Sequence, residues 1–365
     1  MPFDVADFPG ASASDRAASR RSRRLVGTWL FTVAAMVLAM IALGGLTRLT
    51  GSGLSIMEWA PIMGTLPPLS DAEWQRLFAL YKQIPQFALV NADFLLADFK
   101  SIFWLEWFHR LWGRLLGFAF LVPLVWFWAK GHIARRLIPR LLLLLVLGGM
   151  QGVIGWFMVA SGFFPDATKV SAYRLVIHLG LAIVLYGALL WTGLGVVLGT
   201  ARAPRLAHRT HLWAGISTVA TALTILAGGF VAGLHAGMTY NTFPLMDGQL
   251  IPAGYADLRP FILNLTENIA AVQFNHRLLA SVTAVCAVVT VVIGLRAPAD
   301  VVPRLPLVFL ATLVAGQYLL GIATLLHVVP VGLAAAHQMG AVLVLTAALL
   351  LLHTTRVPRA RGGPE

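Results

Sequence analysis

The 365-residue chain has few charged residues and almost no cysteine. Charged side chains make up 12% of the sequence, against about 25% in an ordinary soluble domain, which excludes a water-soluble globule. The single cysteine, Cys286, excludes an intrachain disulfide, a CxxC redox pair and a cysteine-based zinc site. Apolar residues do not alternate at strand period, which excludes a porin-like barrel. A redox metal would have to be held by histidine, by carboxylate or within a cofactor.

Long hydrophobic runs are what the sequence has instead. Eight runs have about 20 residues or more, enough to cross about 30 Å of hydrocarbon as a helix. They predict an all-α polytopic membrane protein with spans at residues 25–46, 104–128, 141–160, 175–198, 212–234, 269–295, 305–326 and 333–352. The basic stretch at residues 20–24 leads into a full-length span, so we do not expect a cleavable signal peptide.

Lysine and arginine are concentrated on one side of this topology. They crowd the N-terminal tail, the C-terminal tail and the turns that follow the second, fourth and sixth spans, as at Arg135 and Arg136. Because short loops rich in these residues stay in the cytoplasm, we expect both termini to be cytoplasmic, in a bacterial inner membrane. The net charge of +12 is spread over these turns rather than gathered in one patch, so no nucleic-acid partner is expected.

An internal repeat divides the chain into two halves. Glycine pairs, His-Arg pairs and Gln-x-x-x-Gly patterns recur in corresponding spans: Gly44-Gly45 and Gly228-Gly229, His109-Arg110 and His276-Arg277, Gln151 to Gly155 and Gln317 to Gly321. Four spans per half give both copies the same orientation, so we predict two pseudo-symmetric four-helix bundles. The predicted divisions are a cytoplasmic tail (1–24), an N-terminal half (25–200), a C-terminal half (201–355) and a second cytoplasmic tail (356–365).

Ten histidines occur, and the topology separates them into two groups. Six lie at span ends or turns and are interpreted as interfacial: His132, His208, His211, His235, His327 and His353. The other four lie about one to two turns inside the outer ends of the even-numbered spans: His109, His178, His276 and His337. An ionisable residue at that depth costs a few kcal/mol unless it is paired or functional, so these four are the candidate ligands.

Two buried histidines per half favour a haem over a bare metal ion. Two neutral imidazoles from two helices can clamp a flat macrocycle from both faces, whereas a zinc or copper site would need more converging ligands. Arginine accompanies the histidines at Arg110, Arg174 and Arg277. A guanidinium grips a carboxylate through two parallel hydrogen bonds, so these side chains are predicted to bind haem propionates. The alternative is that they snorkel to the interface.

One position distinguishes the two halves. Glu106 lies three residues before His109 and four before Arg110, so the three side chains share a helix face, whereas the matching position before His276 is Gln273. A carboxylate in one half only suggests that one haem site performs chemistry and that the other is a redox relay or a structural remnant. A simple ion pair between Glu106 and Arg110 is the alternative.

Together these motifs resemble the haem A synthase family over most of the chain. The resemblance rests on the Glu-x-x-His-Arg of residues 106–110, on His178, on the Asn-His-Arg of residues 275–277, on His337-Gln338 and on the Gly-Gly-x-Thr-Arg-Leu-Thr-Gly-Ser-Gly-Leu-Ser run of residues 44–55. One branch of that family carries a cysteine pair in the outer loops. Because only Cys286 is present, the chain looks closer to the cysteine-free branch typical of alpha-proteobacteria and mitochondria.

The resemblance implies an enzyme that oxidises the C8 methyl group of haem O to the formyl group of haem A by successive hydroxylation, for terminal oxidase assembly. It implies that His276 and His337 hold the iron of a resident haem b, and that His109 and His178 flank the iron of the substrate haem O. Glu106 would lie close to the chemistry. The partners it suggests are membrane lipid, haem O synthase, an electron donor or acceptor, oxidase assembly factors and a second copy of the chain.

Two other functions fit part of the pattern. A bis-histidine membrane cytochrome b that carries electrons would need the same histidines but no carboxylate in one half alone. A transporter with parallel repeats would be expected to have broken helices and polar residues at mid-membrane, whereas here the polar residues gather at the outer edge.

Overall fold

The computed structural model describes residues 13–60, 63–198 and 207–356, and most of these residues are helical. Ten α-helices follow one another: α1 Ala13–Leu49, α2 Asp71–Tyr81, α3 Pro85–Val90, α4 Leu96–Ala129, α5 Ile138–Ala160, α6 Ala172–Leu198, α7 His208–Leu234, α8 Ile269–Arg296, α9 Arg304–Leu326 and α10 Val331–Thr354. All but α2 and α3 are long and apolar enough to cross a membrane. The described residues form no β-strand, and the predicted all-α, eight-span architecture is confirmed.

Helices that follow one another along the chain also pack side by side. In the first half α1 contacts α4 and α6, and α5 contacts α4 and α6. In the second half α8 and α10 each contact both α7 and α9. The halves meet through α1 and α6 on one side and α7 and α10 on the other. That an axis along the membrane normal relates the two halves stays a prediction.

Small residues and buried hydrogen bonds join the two halves. Gly233 of α7 lies directly against Ala172, the first residue of α6. The Nε2 of Gln338 on α10 donates to the carbonyl of Ile41 on α1 at 2.7 Å. The lipid tails around the spans are as apolar as leucine, so close backbone approach and interhelical hydrogen bonds must supply the attraction between helices.

A proline inside α4 is compensated by a tryptophan of α1. Pro123 has no N–H, so the carbonyl of Ala119, four residues earlier, loses its helical partner. The indole N–H of Trp29 donates to that carbonyl at 2.8 Å. Because an unsatisfied carbonyl in hydrocarbon costs several kcal/mol, this bond lets the long span tolerate the proline.

Two helices begin earlier than the hydrophobic runs predict. α1 begins at Ala13 rather than near residue 25, because alanine and arginine before the span are good helix formers. α4 begins at Leu96 rather than near residue 104, where the Asp98 side chain accepts the N–H of Leu95 and caps the helix. Residues 1–12, 61–62, 199–206 and 357–365 lie outside the described residues. These segments include the predicted boundary at 200/201, most of the predicted C-terminal tail, and four of the basic residues: Arg202, Arg205, Arg359 and Arg361.

A small helical cap over the N-terminal half was not predicted. Ser70 accepts the N–H of Glu73 and starts α2, a Ser-x-x-Glu signature that the hydrophobic runs do not register. Helices α2 and α3 and the first turns of α4 enclose an aromatic cluster around the fully buried Tyr81 and Phe99. The end of the molecule that carries this cap is called the cap end below.

The contact between Gly233 and Ala172 makes a test of the interface between the halves. A Cβ at Gly233 would come within 2.9 Å of the Ala172 backbone, so we expect Gly233→Ala to destabilise the protein by about 1–3 kcal/mol, the usual cost of overpacking. Thermal unfolding of the purified protein, followed by circular dichroism in detergent, measures the effect.

Gly316→Ala is the matched control. Gly316 lies in the middle of α9 with no atom within 4 Å of its added Cβ, so this variant should match the parent or exceed it slightly because alanine favours the helix. Equal losses in the two variants would contradict close packing at Gly233.

Candidate functional site

The four candidate histidines lie on four different spanning helices. His178, His276 and His337 lie about two turns from the start of α6, α8 and α10, respectively. His109 lies farther along α4, because that helix begins within the cap. Each half of the chain thus supplies two imidazoles from two helices, as the sequence predicts.

Each of these four imidazole rings packs against a glycine on a neighbouring helix. The pairs are His109 with Gly44, His178 with Gly155, His276 with Gly228 and His337 with Gly321. A Cβ added to any of these glycines would come within 2.8–3.2 Å of the imidazole. A side chain at Gly155 or Gly321 would force the ring to shift, and one at Gly44 or Gly228 would crowd it, so the glycines that mark the repeat in the sequence have a packing role.

The two histidines of the C-terminal half face each other. The ring centres of His276 and His337 are 6.4 Å apart and the ring planes are perpendicular. In the N-terminal half, His109 and His178 are close enough to interact electrostatically. Within the described residues, no group of three or more His, Cys, Asp or Glu side chains is arranged to hold a bare metal ion.

Glutamines on α5 and α9 hold the histidine-bearing helices. The Nε2 of Gln151 donates to the carbonyl of His178 at 2.9 Å, and the Nε2 of Gln317 donates to that of His337 at 2.8 Å. The same Gln317 atom lies 3.0 Å from Nδ1 of His337. The Nδ1 atoms of His178 and His276 are buried and have no hydrogen-bond partner among the described residues.

Glu106 is buried, with 2% of its surface exposed, and four hydrogen bonds hold its carboxylate. Oε2 accepts the hydroxyl of Ser55 at 2.8 Å and the backbone N–H of Ile56 at 2.9 Å. Oε1 accepts Nε and Nη2 of Arg110 at 3.0 and 2.5 Å. The ion pair with Arg110 that the sequence left open is therefore present, and the same carboxylate also fixes the loop after α1.

Gln273 occupies the matching position in the other half, but its side chain donates hydrogen bonds to the loop, whereas that of Glu106 accepts them. Its buried Nε2 donates to the carbonyls of Ala236 and Tyr240 at 3.0 and 3.1 Å, so it fixes the loop after α7 as a donor rather than as an acceptor. Arg277 reaches its Oε1 only at 3.4 Å. The Nε of Arg277 is left buried without a hydrogen-bond partner among the described residues.

Arg110 and Arg277 clasp the loops that follow α1 and α7. Arg110 donates to the carbonyls of Ile56 and Glu58 at 2.6 and 2.8 Å. Arg277 donates to the carbonyls of Tyr240 and Thr242 at 2.7 and 2.9 Å. In each half one guanidinium thus ties two alternate carbonyls of a loop to the helix that carries the first histidine.

The remaining predicted arginine lies at the side of the bundle. Arg174 donates to the carbonyl of Phe157 at 2.7 Å, and its guanidinium stacks on the Phe157 ring at 3.8 Å. This arrangement has the geometry of a cation–π contact near the membrane interface.

A surface ion-pair group joins this site to the cap. Arg76 of α2 donates to both carboxylate oxygens of Glu58 at 2.8 and 2.9 Å and also pairs with Glu73. These hydrogen bonds from Arg76 hold the pKa of Glu58 below its usual value, against a smaller opposing effect of burial. The backbone carbonyl of Glu58 accepts an N–H of Arg110, and Arg110 also donates to Glu106. The cap is therefore linked to Glu106 through Glu58 and Arg110.

Sequence reasoning missed Ser55 and the ring-supporting role of the four glycines. Ser55 ends the run of residues 44–55 that carries the family resemblance, but a loop hydroxyl gives no periodic signal, so its contact with Glu106 was not predicted. The glycines were visible as part of the repeat, but their contact with imidazole could be inferred only by pairing each with a histidine on the next span.

Known proteins resemble the chain over nearly its whole length. The family model COX15-CtaA, described as cytochrome oxidase assembly protein, matches residues 27–349. A protein of Granulibacter bethesdensis named Heme A synthase is 56% identical over 92% of this chain and 89% of its own length. Proteins of the same name from Rhodospirillum centenum and Azorhizobium caulinodans are 49% and 47% identical, over 95% and 90% of this chain and 93% and 94% of their own. The chain belongs to the COX15-CtaA family of cytochrome oxidase assembly proteins.

Proposed function

We propose that this multi-pass membrane protein is a haem A synthase, an oxidoreductase that converts the C8 methyl group of haem O to a formyl group by successive hydroxylation. The observation that carries this proposal is the 56% identity, over 92% of the chain, to a protein named Heme A synthase. Two histidine pairs, one in each half, supply the iron ligands that a haem substrate and a haem cofactor both need. Neither an electron-carrying cytochrome nor a transporter is favoured by these relatives.

The resident haem b belongs, in this proposal, to the C-terminal half (201–355), with His276 and His337 as its iron ligands. If His276 and His337 held one iron between them, through metal–nitrogen bonds of about 2 Å, their ring centres would lie about 6 Å apart. The 6.4 Å separation of these two rings fits that arrangement.

Arg277 is the proposed contact for a haem b propionate. Its Nη atoms are occupied by loop carbonyls, but its buried Nε retains an unused N–H that a carboxylate would satisfy. When bound, haem b supplies a one-electron redox centre. The protein's own part is to fix the ligands, to hold the loop with Arg277 and to exclude water from the iron.

The N-terminal half (25–200) is the proposed site of haem O, flanked by His109 and His178. Glu106 lies one turn before His109, and four hydrogen bonds hold its carboxylate in place. We assign Glu106 a part in the oxidation, as a fixed negative charge and proton acceptor beside the reacting group. The sequence proposes Arg110 and Arg174 as propionate contacts, but both guanidinium groups already bind backbone carbonyls, which leaves room for other cationic residues in that role.

The proposed location is the bacterial inner membrane, with both termini in the cytoplasm and the cap outside. The described Lys130, Arg135, Arg136 and Arg140 lie at the end opposite the cap, whereas Glu58, Asp71 and Glu73 belong to the cap end. The positive-inside rule favours this orientation. Haem O synthase, an electron donor or acceptor, oxidase assembly factors and a second copy of the chain are the proposed partners.

Replacement of the ligands tests the division between the halves. We expect His276→Leu or His337→Leu to remove most of the haem b, because one lost axial imidazole leaves the iron with a single protein ligand. His109→Leu and His178→Leu are the matched controls and should retain most of it. Pyridine haemochrome spectra of the purified variants measure the haem content. Loss of haem b only in the first-half variants would reverse the assignment.

Replacement of Glu106 separates catalysis from support of the loop. Glu106→Gln removes the charge but keeps the size, so we expect haem b to be retained while haem A falls to less than about a tenth and haem O accumulates. Ser55→Ala removes one donor to Glu106 but leaves its charge, and it should keep most of the activity. Haem extracted from cells that depend on each variant is measured by chromatography.

Two results would contradict the role of Glu106. Normal haem A in Glu106→Gln would leave it as a structural partner of Arg110. An equal loss of haem A in Ser55→Ala would assign the effect to the position of the loop rather than to the carboxylate.

Single introduced cysteines test the orientation. In a Cys286→Ser background, a cysteine at Asp93 or Gln249 should react with an impermeant thiol reagent applied outside intact cells, because both positions lie at the cap end. A cysteine at Arg136 should react only after the membrane is opened. The reverse pattern would place the cap in the cytoplasm.

A further inference from the structure

Three basic residues meet where the two halves join at the cap end. Arg48 is in the last turn of α1, Lys169 precedes α6 and His235 follows α7. The Nζ of Lys169 lies 3.2 Å from Nδ1 of His235, and Arg48 is close enough to act on His235 electrostatically. The first two residues belong to the N-terminal half and the third to the C-terminal half.

Negative charge is missing from this group. Burial, and then the positive charges of Arg48 and Lys169, lowers the pKa of His235 to about 4, and no carboxylate contributes an opposing effect. The Arg48 side chain makes no ion pair with a described residue, whereas its backbone carbonyl accepts the N–H of Gly51. Asp166, three residues before Lys169, forms no ion pair with the group. Arg48 is only partly buried and pairs with no carboxylate of the described residues, so an anion could bind its guanidinium.

The position of Arg48 relates this group to the first histidine pair. Gly44 supports the ring of His109, and Arg48 lies one turn farther toward the cap end on the same face of α1. Arg110, which would otherwise be the nearest cation, already donates to Glu106 and to two loop carbonyls. In the N-terminal half, Arg110 lies next to the proposed ligand His109, but its guanidinium already has hydrogen-bond acceptors. A second arginine, Arg48, lies nearby and has no carboxylate partner among the described residues.

We propose that Arg48, Lys169 and His235 form the binding site for the propionate carboxylates of the haem held between His109 and His178. Two carboxylates directed to the cap end would receive charge-assisted hydrogen bonds from Arg48 and Lys169. The site would orient the macrocycle in its plane, so that one edge faces the cap and the opposite edge faces the membrane interior. This inference rests on the proposed function, because it takes a haem as the ligand.

Esterified porphyrin provides a direct test. The purified full-length protein with its resident haem is placed in phosphatidylcholine nanodiscs and titrated with ferric protoporphyrin IX or with its dimethyl ester, which lacks the two charges. Binding is followed by the Soret absorbance. The parent protein should prefer the diacid, and Arg48→Gln or Lys169→Gln should weaken diacid binding about tenfold, the effect of losing one charge-assisted hydrogen bond. Ester binding should not change.

Lys100→Gln is the matched control. Lys100 is also a lysine at the cap end, but its Nζ lies over the Trp74 ring at 5.0 Å and away from the basic group. This variant should bind both porphyrins as the parent does. If it weakens the diacid equally, the preference reflects general surface charge, and the proposed site is wrong.

Other outcomes are equally decisive. Equal weakening of diacid and ester in Arg48→Gln would make Arg48 a structural residue and overturn the inference. Loss of the diacid preference when phosphatidylglycerol is added would assign the group to a lipid phosphate instead. Absence of haem A from cells would refute the proposed enzyme without changing the titration, so the two proposals fail separately.

Discussion

The packing of a histidine ring against a glycine on the facing helix sets the spacing between the helices of this protein. Each of the four rings occupies the volume that a Cβ would take on the facing helix, so each fixes how closely two spans approach. The helix pairs are α1 with α4, α5 with α6, α7 with α8 and α9 with α10. In lipid, where apolar burial does not favour one helix partner over another, such close contacts determine which spans associate. The same contacts therefore position the candidate ligands and set the packing of the helices.

A second constraint acts at the cap end, where a single guanidinium in each half ties a loop to a helix. Arg110 and Arg277 make the same pair of backbone contacts, but their helix neighbours differ. Glu106 accepts hydrogen bonds and carries charge, whereas Gln273 donates them and is neutral. The exchange of one acid for one amide reverses the direction of the hydrogen bonds, while each arginine still binds two alternate loop carbonyls. Two sites built alike can therefore differ in electrostatic character.

Much of this architecture is visible in the sequence, because spans and repeats leave periodic signals. Hydrophobic length predicted eight spans, and spacing placed Glu106 and Arg110 on one face, where they form an ion pair. What was missed depends on contacts between segments far apart in the chain. The cap begins at a polar Ser70 signature and is closed by aromatic packing, and Ser55 meets Glu106 across 51 positions. No local sequence pattern predicts such long-range contacts. Hydropathy also does not show where a helix starts when it begins before its apolar run.

The arginine clasps have a consequence for how the loops can vary. Each loop is anchored at two alternate carbonyls soon after its helix ends, and the chain beyond the anchor takes different forms in the two halves. After Glu58 it builds the helices of the cap, whereas after Thr242 it forms turns and one short 3₁₀ helix, Phe261–Leu265, before α8. The anchors thus hold the start of each loop in place while the chain beyond them differs between the halves. Insertions, deletions or fused reporter domains beyond these points would be accommodated at the surface, which makes the loop tips suitable attachment points for probes of a working enzyme.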